Sequence, residues 1–193
     1  MAAKTKLKLR ILQDRLRAWQ DWEFADSHQQ DIEYLKRRRR ITIPVSPDVV
    51  RPYLNGIICA VTISDDEFVG VRIKMPHRYR KGHSIGCFED GSVKLSEPMN
   101  EVLGLAEGVE DALSVEQLFG IPCWATLGAN RLDTVFVPPD VRELHLFADN
   151  DDPGCAAVRR AVARHTGEGR RVTVHWPPDE YKDWNEFVVK ESG

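Results

Sequence analysis

The chain has 193 residues, of which 42% are hydrophobic and 30% are charged, and its formal net charge is −3. This length fits one domain, or one domain with a smaller appendage, and the composition is that of an ordinary globular protein, which argues against global disorder. No apolar run approaches the roughly eighteen residues that a membrane span requires, so we expect a cytoplasmic protein with no membrane partner.

The first forty residues predict a basic helical arm, residues 1–40. Apolar residues from Leu7 to Trp19 recur near the helical period of 3.6, which predicts a helix that is interrupted at Asp26 and resumes to about residue 39. The arm has eleven Lys and Arg against six Asp and Glu. Its last residues are candidate nucleic-acid contacts, namely Arg37, Arg38, Arg39 and Arg40. A solvated helix end that complements the helix dipole explains the same run equally well.

Residues 41–96 predict a small β-rich region. Prolines at its start indicate an irregular linker, and the strand-like runs 56–64 and 67–74 are joined by a short acidic turn that predicts a β-hairpin. The basic segment 75–86 predicts an exposed loop. Its candidate phosphate contacts are Arg78, Arg80 and Lys81. The alternative interpretation of this segment is a surface loop that binds no ligand.

Residues 97–193 alternate between strand-like and helix-like patterns. The predicted strands lie near 102–106, 122–127, 142–148 and 171–176, and the predicted helices near 108–119, 153–166 and 184–190. Such alternation predicts an α/β fold with a parallel sheet, right-handed crossovers and flanking helices. This part is acidic, with nine Lys and Arg against eighteen Asp and Glu.

Carboxylates follow two of the predicted strands at the point where each strand ends. Glu107 comes after an apolar run that ends at Ala106, and Asp149 and Asp151 follow a run that ends at Ala148. The carboxyl ends of adjacent parallel strands face one crevice, so we expect the three carboxylates to lie close together. Because like charges repel, the cluster predicts a hard divalent cation such as Mg²⁺, held with waters and substrate phosphates. A calcium loop of the EF-hand type is disfavoured because its twelfth position is Arg160.

Neighbouring residues are predicted to support this cluster. Gly108 lets the chain turn from strand to helix, and Asp152 is predicted to cap the helix near 153–166. Lys182 is a candidate for neutralising a phosphate or the acidic cluster, and Asp183 a candidate cap for the last helix. The full set of supporting residues is Gly108, Asp111, Gly154, Asp183 and Asn185.

Together these motifs resemble the Toprim domain, which is shared by bacterial-type primases, type IA and type II topoisomerases and some nucleases. Glu107, Asp149 and Asp151 match, in order, the glutamate and the Asp-x-Asp of that family. The resemblance covers roughly residues 95–190. Within the family, these motifs are similar to those of the Toprim modules of phage- and plasmid-type primases and primase-helicases. Their terminal Lys-Asp-x-Asn-Asp run is matched here except at Glu186. The resemblance implies that residues 97–193 form a Toprim domain with a Rossmann-like parallel sheet. The basic arm and the small β-hairpin region precede this domain in the chain.

The resemblance implies Mg²⁺-dependent nucleotidyl transfer on DNA, with Mn²⁺ as an alternative ion. It assigns Glu107, Asp149 and Asp151 to the metal and adds Lys182 as a catalytic residue. The activity implied is synthesis of RNA primers from nucleoside triphosphates on a single-stranded DNA template. Two alternatives stay open: a metal-dependent nuclease, and a non-catalytic nucleic-acid-binding accessory or regulatory protein.

Two parts found in many primases are missing from this sequence. The four cysteines are widely spaced and form no Cys/His zinc ribbon, and no Walker A loop of a fused helicase is present. We therefore expect a partner, such as a replicative helicase, to supply DNA binding or unwinding.

Overall fold

The structure, a computed structural model, describes residues 2–26, 32–75, 82–88 and 90–192. The predicted phosphate contacts Arg78, Arg80 and Lys81 lie outside these ranges. Within them, no helix has the length and the apolar character needed to cross a bilayer.

An N-terminal helix and an antiparallel sheet form the first half of the molecule. Helix α1 (Ala2–Phe24) is followed by a π-helical turn (Tyr34–Arg38). Four antiparallel strands then pair in chain order: β1 (Val50–Tyr53), β2 (Gly56–Thr62), β3 (Phe68–Lys74) and β4 (His83–Gly86). The predicted hairpin, β2 and β3, is confirmed.

Two strands of this sheet were not predicted. β1 contains Pro52, which an edge strand tolerates because one side of its backbone needs no partner. β4 is the other edge, and its first two residues, His83 and Ser84, are exposed. Because an exposed edge needs no apolar alternation, both segments lacked the pattern on which a strand prediction depends.

The second sheet has five strands. They are β5 (Val93–Lys94), β6 (Val102–Ala106), β7 (Cys123–Ala125), β8 (Glu143–Phe147) and β9 (Arg171–His175), in the spatial order β5-β7-β6-β8-β9. The last four are parallel, and β5 runs antiparallel to β7. The predicted limits of the three regions stay predictions, although β5, which precedes residue 97, pairs with this sheet.

Three helices complete the α/β half and agree with the predicted alternation. They are α2 (Val109–Phe119), α3 (Asp152–Gly167) and α4 (Trp184–Glu191), and a short 3-10 turn (Ala129–Arg131) follows β7. The predicted parallel sheet flanked by helices is therefore confirmed.

The two sheets lie in one layered stack. Helix α1 buries Ala18 and Trp22 against the outer face of the antiparallel sheet. The inner face of that sheet, including Ile57, packs in a second core with α2, α4 and the near face of the parallel sheet. A third core, formed around Leu144 and Ala157, joins the far face to α3. Burial of these apolar faces drives the stacking of the layers.

The strand order of the parallel sheet places one crevice at a defined point. From β6 the chain passes through α2 to β7 on one side, whereas β8 lies on the other side of β6. The order therefore reverses between β6 and β8, and ligands of open α/β sheets bind beyond the carboxyl ends at such a point. Glu107 follows β6 directly, and Asp149 lies two residues after β8.

Candidate active site

A cavity of about 240 Å³ opens at the carboxyl ends of β6 and β8. Its carboxylates are those of Glu107, Asp111, Asp149 and Asp183, and its cationic side chains are those of Arg72 and Lys74. The acids come from the parallel sheet and its helices, whereas the two cations come from β3. The cavity thus lies between the two halves of the molecule, with opposite charges on its two sides.

The carboxylates of Glu107 and Asp149 each leave one oxygen without a partner. Glu107 Oε1 and Asp149 Oδ1 are buried and accept no hydrogen bond from the described part of the chain. Burial, followed by the charges of Asp151 and Asp111, raises the pKa of Glu107 to about 7. Burial, followed by the charges of Glu107 and Asp183, raises the pKa of Asp149 to about 7. Buried oxygens that lack a donor and repel one another fit a divalent cation.

Asp151 has a structural role that was not predicted for it. Its Oδ1 accepts a hydrogen bond from the backbone N–H of Gly154 at 2.8 Å, so it is the N-cap of α3. The prediction that Asp152 caps this helix was wrong by one residue, because the extended backbone that a cap requires lies at Asp151, with φ −143°. The charge of Asp151 still acts on Glu107, since it contributes to the raised pKa of that carboxyl.

The structure brings two of the three predicted metal ligands into the cavity. Asp151 does not line the cavity. Over the described ranges, no three His, Cys, Asp or Glu side chains are arranged as a group that could hold a metal ion. The complete triad of Glu107, Asp149 and Asp151 therefore stays a prediction, and Glu107 and Asp149 are its geometrically assembled part.

Lys182 and Asp183 follow β9 and precede α4. The exposed Lys182 acts on the cavity through its charge, which lowers the pKa of both Glu107 and Asp149 against the larger effect of burial. Its backbone carbonyl accepts from the Asn150 N–H at 2.8 Å, which joins the loop after β8 to the loop before α4. Asp183 caps α4 as expected, because its Oδ1 accepts from the Glu186 N–H at 2.7 Å.

The predicted supporting residues connect the helices behind the cavity. Asp111 Oδ1 accepts from the Asn185 backbone N–H at 3.1 Å, which ties α2 to α4. Burial and then the charges of Asp183, Asp149 and Glu110 raise the pKa of Asp111. Buried Asn185 donates from Nδ2 to Ser114 Oγ at 2.9 Å and to the Arg39 carbonyl at 3.0 Å.

At both glycines predicted to support the site, neighbouring atoms lie too close to leave room for a side chain. A Cβ at Gly108 would lie 2.3 Å from Asp111 Oδ2, and a Cβ at Gly154 would lie 2.6 Å from the Asp149 carbonyl oxygen. Real Cβ atoms do not approach so closely, so a larger residue would displace Asp111 or the loop that follows β8.

Sequence reasoning missed a buried ionic cluster beside the cavity. Glu110 has a side chain only 4% exposed, and its carboxylate lies 3.0 Å from Lys74 Nζ and 3.4 Å from Arg39 Nη2. The Tyr34 hydroxyl donates to Glu110 Oε1 at 3.0 Å. Burial raises the pKa of Glu110, but Lys74 and Arg39 outweigh this effect, so the pKa is lowered and the carboxylate stays charged.

One sequence signal pointed to the cationic side of the cavity. Arg72 and Lys74 alternate with buried Val71 and Ile73 along β3, so the two cations must share the face opposite the apolar pair. The pattern indicates that they share a face, but not what that face packs against.

The arginines 37–40, which span the end of the π-helical turn, divide into two groups. Arg37, Arg38 and Arg40 are exposed, and Arg37 pairs with Glu33 at 2.9 Å. Arg39 instead turns inward to Glu110, and its Nε donates to the Tyr34 hydroxyl at 3.0 Å. The Arg39 guanidinium thus already contacts groups of the chain itself, and its predicted contact with nucleic acid stays a prediction.

Comparison with known proteins agrees with this architecture. Residues 102–193 match the family model of the Toprim domain. No curated protein matches the chain. The primase fragment of the bacteriophage T7 primase-helicase is similar in structure, with a TM-score of 0.56 and 17% identity over 76% of this chain and 66% of that one.

Two bacterial structures are similar to a comparable degree. A DNA primase domain from Pseudomonas aeruginosa has a TM-score of 0.54 and 17% identity, covering 73% of this chain and 49% of that one. The zinc-binding and RNA polymerase domains of the Aquifex aeolicus primase have a TM-score of 0.52 and 16% identity, covering 71% of this chain and 37% of that one. The chain thus spans less than two thirds of the length of these structures, and the likeness concerns the fold.

Proposed function

Because residues 102–193 form a Toprim domain, we propose that the chain is a primase-like enzyme that catalyses Mg²⁺-dependent nucleotidyl transfer and synthesises RNA primers on DNA. One observation carries the proposal. At the crevice between β6 and β8, Glu107 and Asp149 each have a buried, unpartnered oxygen, and Arg72 and Lys74 line the other side of the same cavity. A cation and a polyphosphate are the ligands that such opposed charges can hold side by side.

Glu107 and Asp149 would hold Mg²⁺, or Mn²⁺ in its place, and Asp151 would supply a third carboxylate from the start of α3. These side chains fit a divalent cation, because hard divalent cations prefer carboxylate oxygens as ligands. A cation among them would also reduce the repulsion between the carboxylates. When bound, the ion neutralises charge on the triphosphate and activates the 3′-hydroxyl that attacks it.

Arg72 and Lys74 would hold the phosphates of the incoming nucleotide. Lys74 is shared with Glu110, whose buried carboxylate fixes the position of the ammonium group. The Arg72 guanidinium is oriented by a hydrogen bond from its Nη1 to Ser84 Oγ at 3.2 Å. Lys182 is exposed and close enough to lower the pKa of both acids, and we assign it to charge developing on the phosphates during transfer.

The template is assigned from the positive charge of the exposed arginines and lysines. Exposed Arg37, Arg38 and Arg40 would contact phosphates of single-stranded DNA without reading sequence, as would Arg78, Arg80 and Lys81. We further propose that a replicative helicase presents the template. The similarity to the primase fragment of a primase-helicase supports this pairing.

Primer synthesis tests the proposal directly. The full chain is incubated with single-stranded DNA, labelled ribonucleotides and Mg²⁺, alone and with a helicase from the same source. We expect short RNA products that Glu107→Gln reduces about 100-fold or more. The matched control is Glu101→Gln, an exposed carboxylate six residues away in the chain, which leaves the product unchanged.

Two results would overturn this function. Absence of a Mg²⁺-dependent product under both conditions would exclude a primase. Degradation of labelled DNA without nucleotides, lost in the Glu107→Gln variant, would assign the same site to a nuclease.

A further inference from the structure

The turn that follows β7 has an unusual backbone conformation at two consecutive residues, Leu127 and Gly128. Leu127 has a φ of 67°, in the left-handed region, and Gly128 has a φ of 145°. Glycine adopts positive φ readily, but leucine does so rarely, because its Cβ then comes close to a neighbouring carbonyl oxygen. Residues in such conformations concentrate at functional sites, where the surrounding structure holds them in place.

Hydrogen bonds hold this turn against Glu107. The Leu127 N–H donates to the Glu107 carbonyl oxygen at 2.9 Å. The backbone N–H of Ala129 lies close enough to the Glu107 carboxyl to lower its pKa against the larger effect of burial. Behind the turn, Arg131 Nε donates to the Thr126 carbonyl oxygen at 2.7 Å. The position of Leu127 is therefore fixed relative to a proposed ligand of the cation.

The cavity offers one accessible apolar side chain. Among the described residues that line it, Val109 and Leu127 are apolar, and every other lining side chain is charged. Val109 is only 1% exposed, whereas Leu127 is half-buried, so Leu127 is the apolar group that a ligand can reach. A Cβ at Gly128 would meet no atom within 4 Å, so the cavity is open beside Leu127. This lining fits a ligand that is charged at one end and apolar at the other.

We propose that Leu127 contacts the sugar and base of the nucleotide whose phosphates Arg72 and Lys74 hold. This contact presupposes the proposed function, because it names the part of the cavity that receives the nucleoside. The triphosphate and the cation lie among the charged groups, and the nucleoside packs on Leu127 and extends past Gly128. A leucine side chain has no hydrogen-bond donor or acceptor, so the contact adds affinity without distinguishing one base from another.

Isothermal titration calorimetry of the full chain tests the contact. The chain is titrated, in the presence of Mg²⁺, with ATP, GTP, CTP and UTP in turn and with inorganic tripolyphosphate, which has no nucleoside. We expect Leu127→Gly to weaken the binding of each nucleotide about tenfold, because a leucine side chain no longer covers apolar surface of the ligand. Tripolyphosphate should bind this variant as tightly as it binds the natural sequence. Glycine also adopts a φ of 67°, so the turn keeps its conformation.

Leu54→Gly is the matched control. Leu54 is also a leucine in the left-handed region, with a φ of 53°, but it lies in the turn between β1 and β2 and does not line this cavity. Its replacement should leave the affinity for all five compounds unchanged. Arg72→Ala should weaken the binding of nucleotides and of tripolyphosphate alike, which would show that both occupy the cavity.

Three results would overturn the contact with Leu127. They are an unchanged nucleotide affinity in Leu127→Gly, an equal loss of nucleotide and tripolyphosphate affinity in that variant, and a loss confined to one base. Primer synthesis by the natural sequence alongside any of these results would leave the proposed function intact. A natural sequence that binds neither nucleotides nor tripolyphosphate would contradict the proposed function, and the contact with it.

Discussion

Glu107 and Asp149 destabilise the folded chain when both are charged. Their pKa values are each raised to about 7, first by burial and then by neighbouring carboxylates. The folded chain therefore binds more protons than the unfolded chain between about pH 4.5 and pH 7, and the free energy of unfolding falls as the pH rises through that range.

Glu107→Gln should remove part of this pH-dependent decrease in the free energy of unfolding. We expect the free energy of unfolding near pH 8 to increase by about 1 kcal/mol, a figure reduced for the partial exposure of the site, with little change near pH 5. Urea unfolding in the presence of a chelator measures the effect. Glu101→Gln serves as the control, and a Glu107→Gln variant that is less stable than the natural sequence near pH 8 would contradict the repulsion.

Glu110 holds two cations from different parts of the chain. Glu110→Gln would leave Lys74 and Arg39 beside a neutral amide, and we expect a loss of about 2 kcal/mol in the free energy of unfolding. Glu33→Gln, which removes an exposed pair with Arg37, should change it by less than about 0.5 kcal/mol. Equal effects of the two substitutions in urea unfolding would show that the buried cluster contributes no more than a surface pair.

The N-cap of α3, Asp151, was also predicted as a metal ligand. Asp151→Asn keeps an oxygen that can accept from the Gly154 N–H, whereas Asp151→Ala removes it. We expect Asp151→Ala to lower the free energy of unfolding by about 1 kcal/mol, and Asp151→Asn to stay within about 0.5 kcal/mol of the natural sequence.

The same two variants separate capping from catalysis. If the charge of Asp151 is used in nucleotidyl transfer, Asp151→Asn loses activity while keeping its stability in thermal unfolding. If Asp151→Asn is fully active, Asp151 is a cap alone, and the triad reduces to Glu107 and Asp149.

The elements of the α/β half were predictable because their signals are local. Apolar runs of strand length that end in Glu107 and Asp149 are visible in the sequence, and so is the helical pattern after each. The cap of α3 was misplaced by one residue, since adjacent aspartates look alike until the backbone dihedrals are known. Strands β1 and β4 were missed because edge strands do not need the apolar alternation that identifies a strand.

The cavity depends on the packing of the two sheets against each other. Arg72 and Lys74 belong to β3, and the acids that they face follow β6 and β8, far along the chain. No local pattern encodes which face of the antiparallel sheet is laid against α2 and α4. The acidic half of the site could therefore be predicted from the sequence, whereas its cationic half required the tertiary structure.

Arg72→Ala tests whether the acidic and cationic sides of the cavity act together in binding the nucleotide. Arg72 is only partly buried, so we expect Arg72→Ala to change the free energy of unfolding by less than about 1 kcal/mol. In the primer-synthesis assay the KM for nucleotide should rise about tenfold, because a charge-assisted contact to phosphate is lost. Arg142→Ala, an exposed cation outside the cavity, is the control; an unchanged KM for Arg72→Ala would remove this residue from the substrate site.

Glu107 and Asp149 are the residues that we propose form a divalent-cation site. Mn²⁺ binding to the full chain, followed through the electron paramagnetic resonance signal of the free ion, tests it most directly. We expect Mn²⁺ to bind the natural sequence and Glu101→Gln equally well, and to bind Glu107→Gln and Asp149→Asn with an affinity that is lower by about tenfold or more. Equal Mn²⁺ affinity in all four proteins would contradict it.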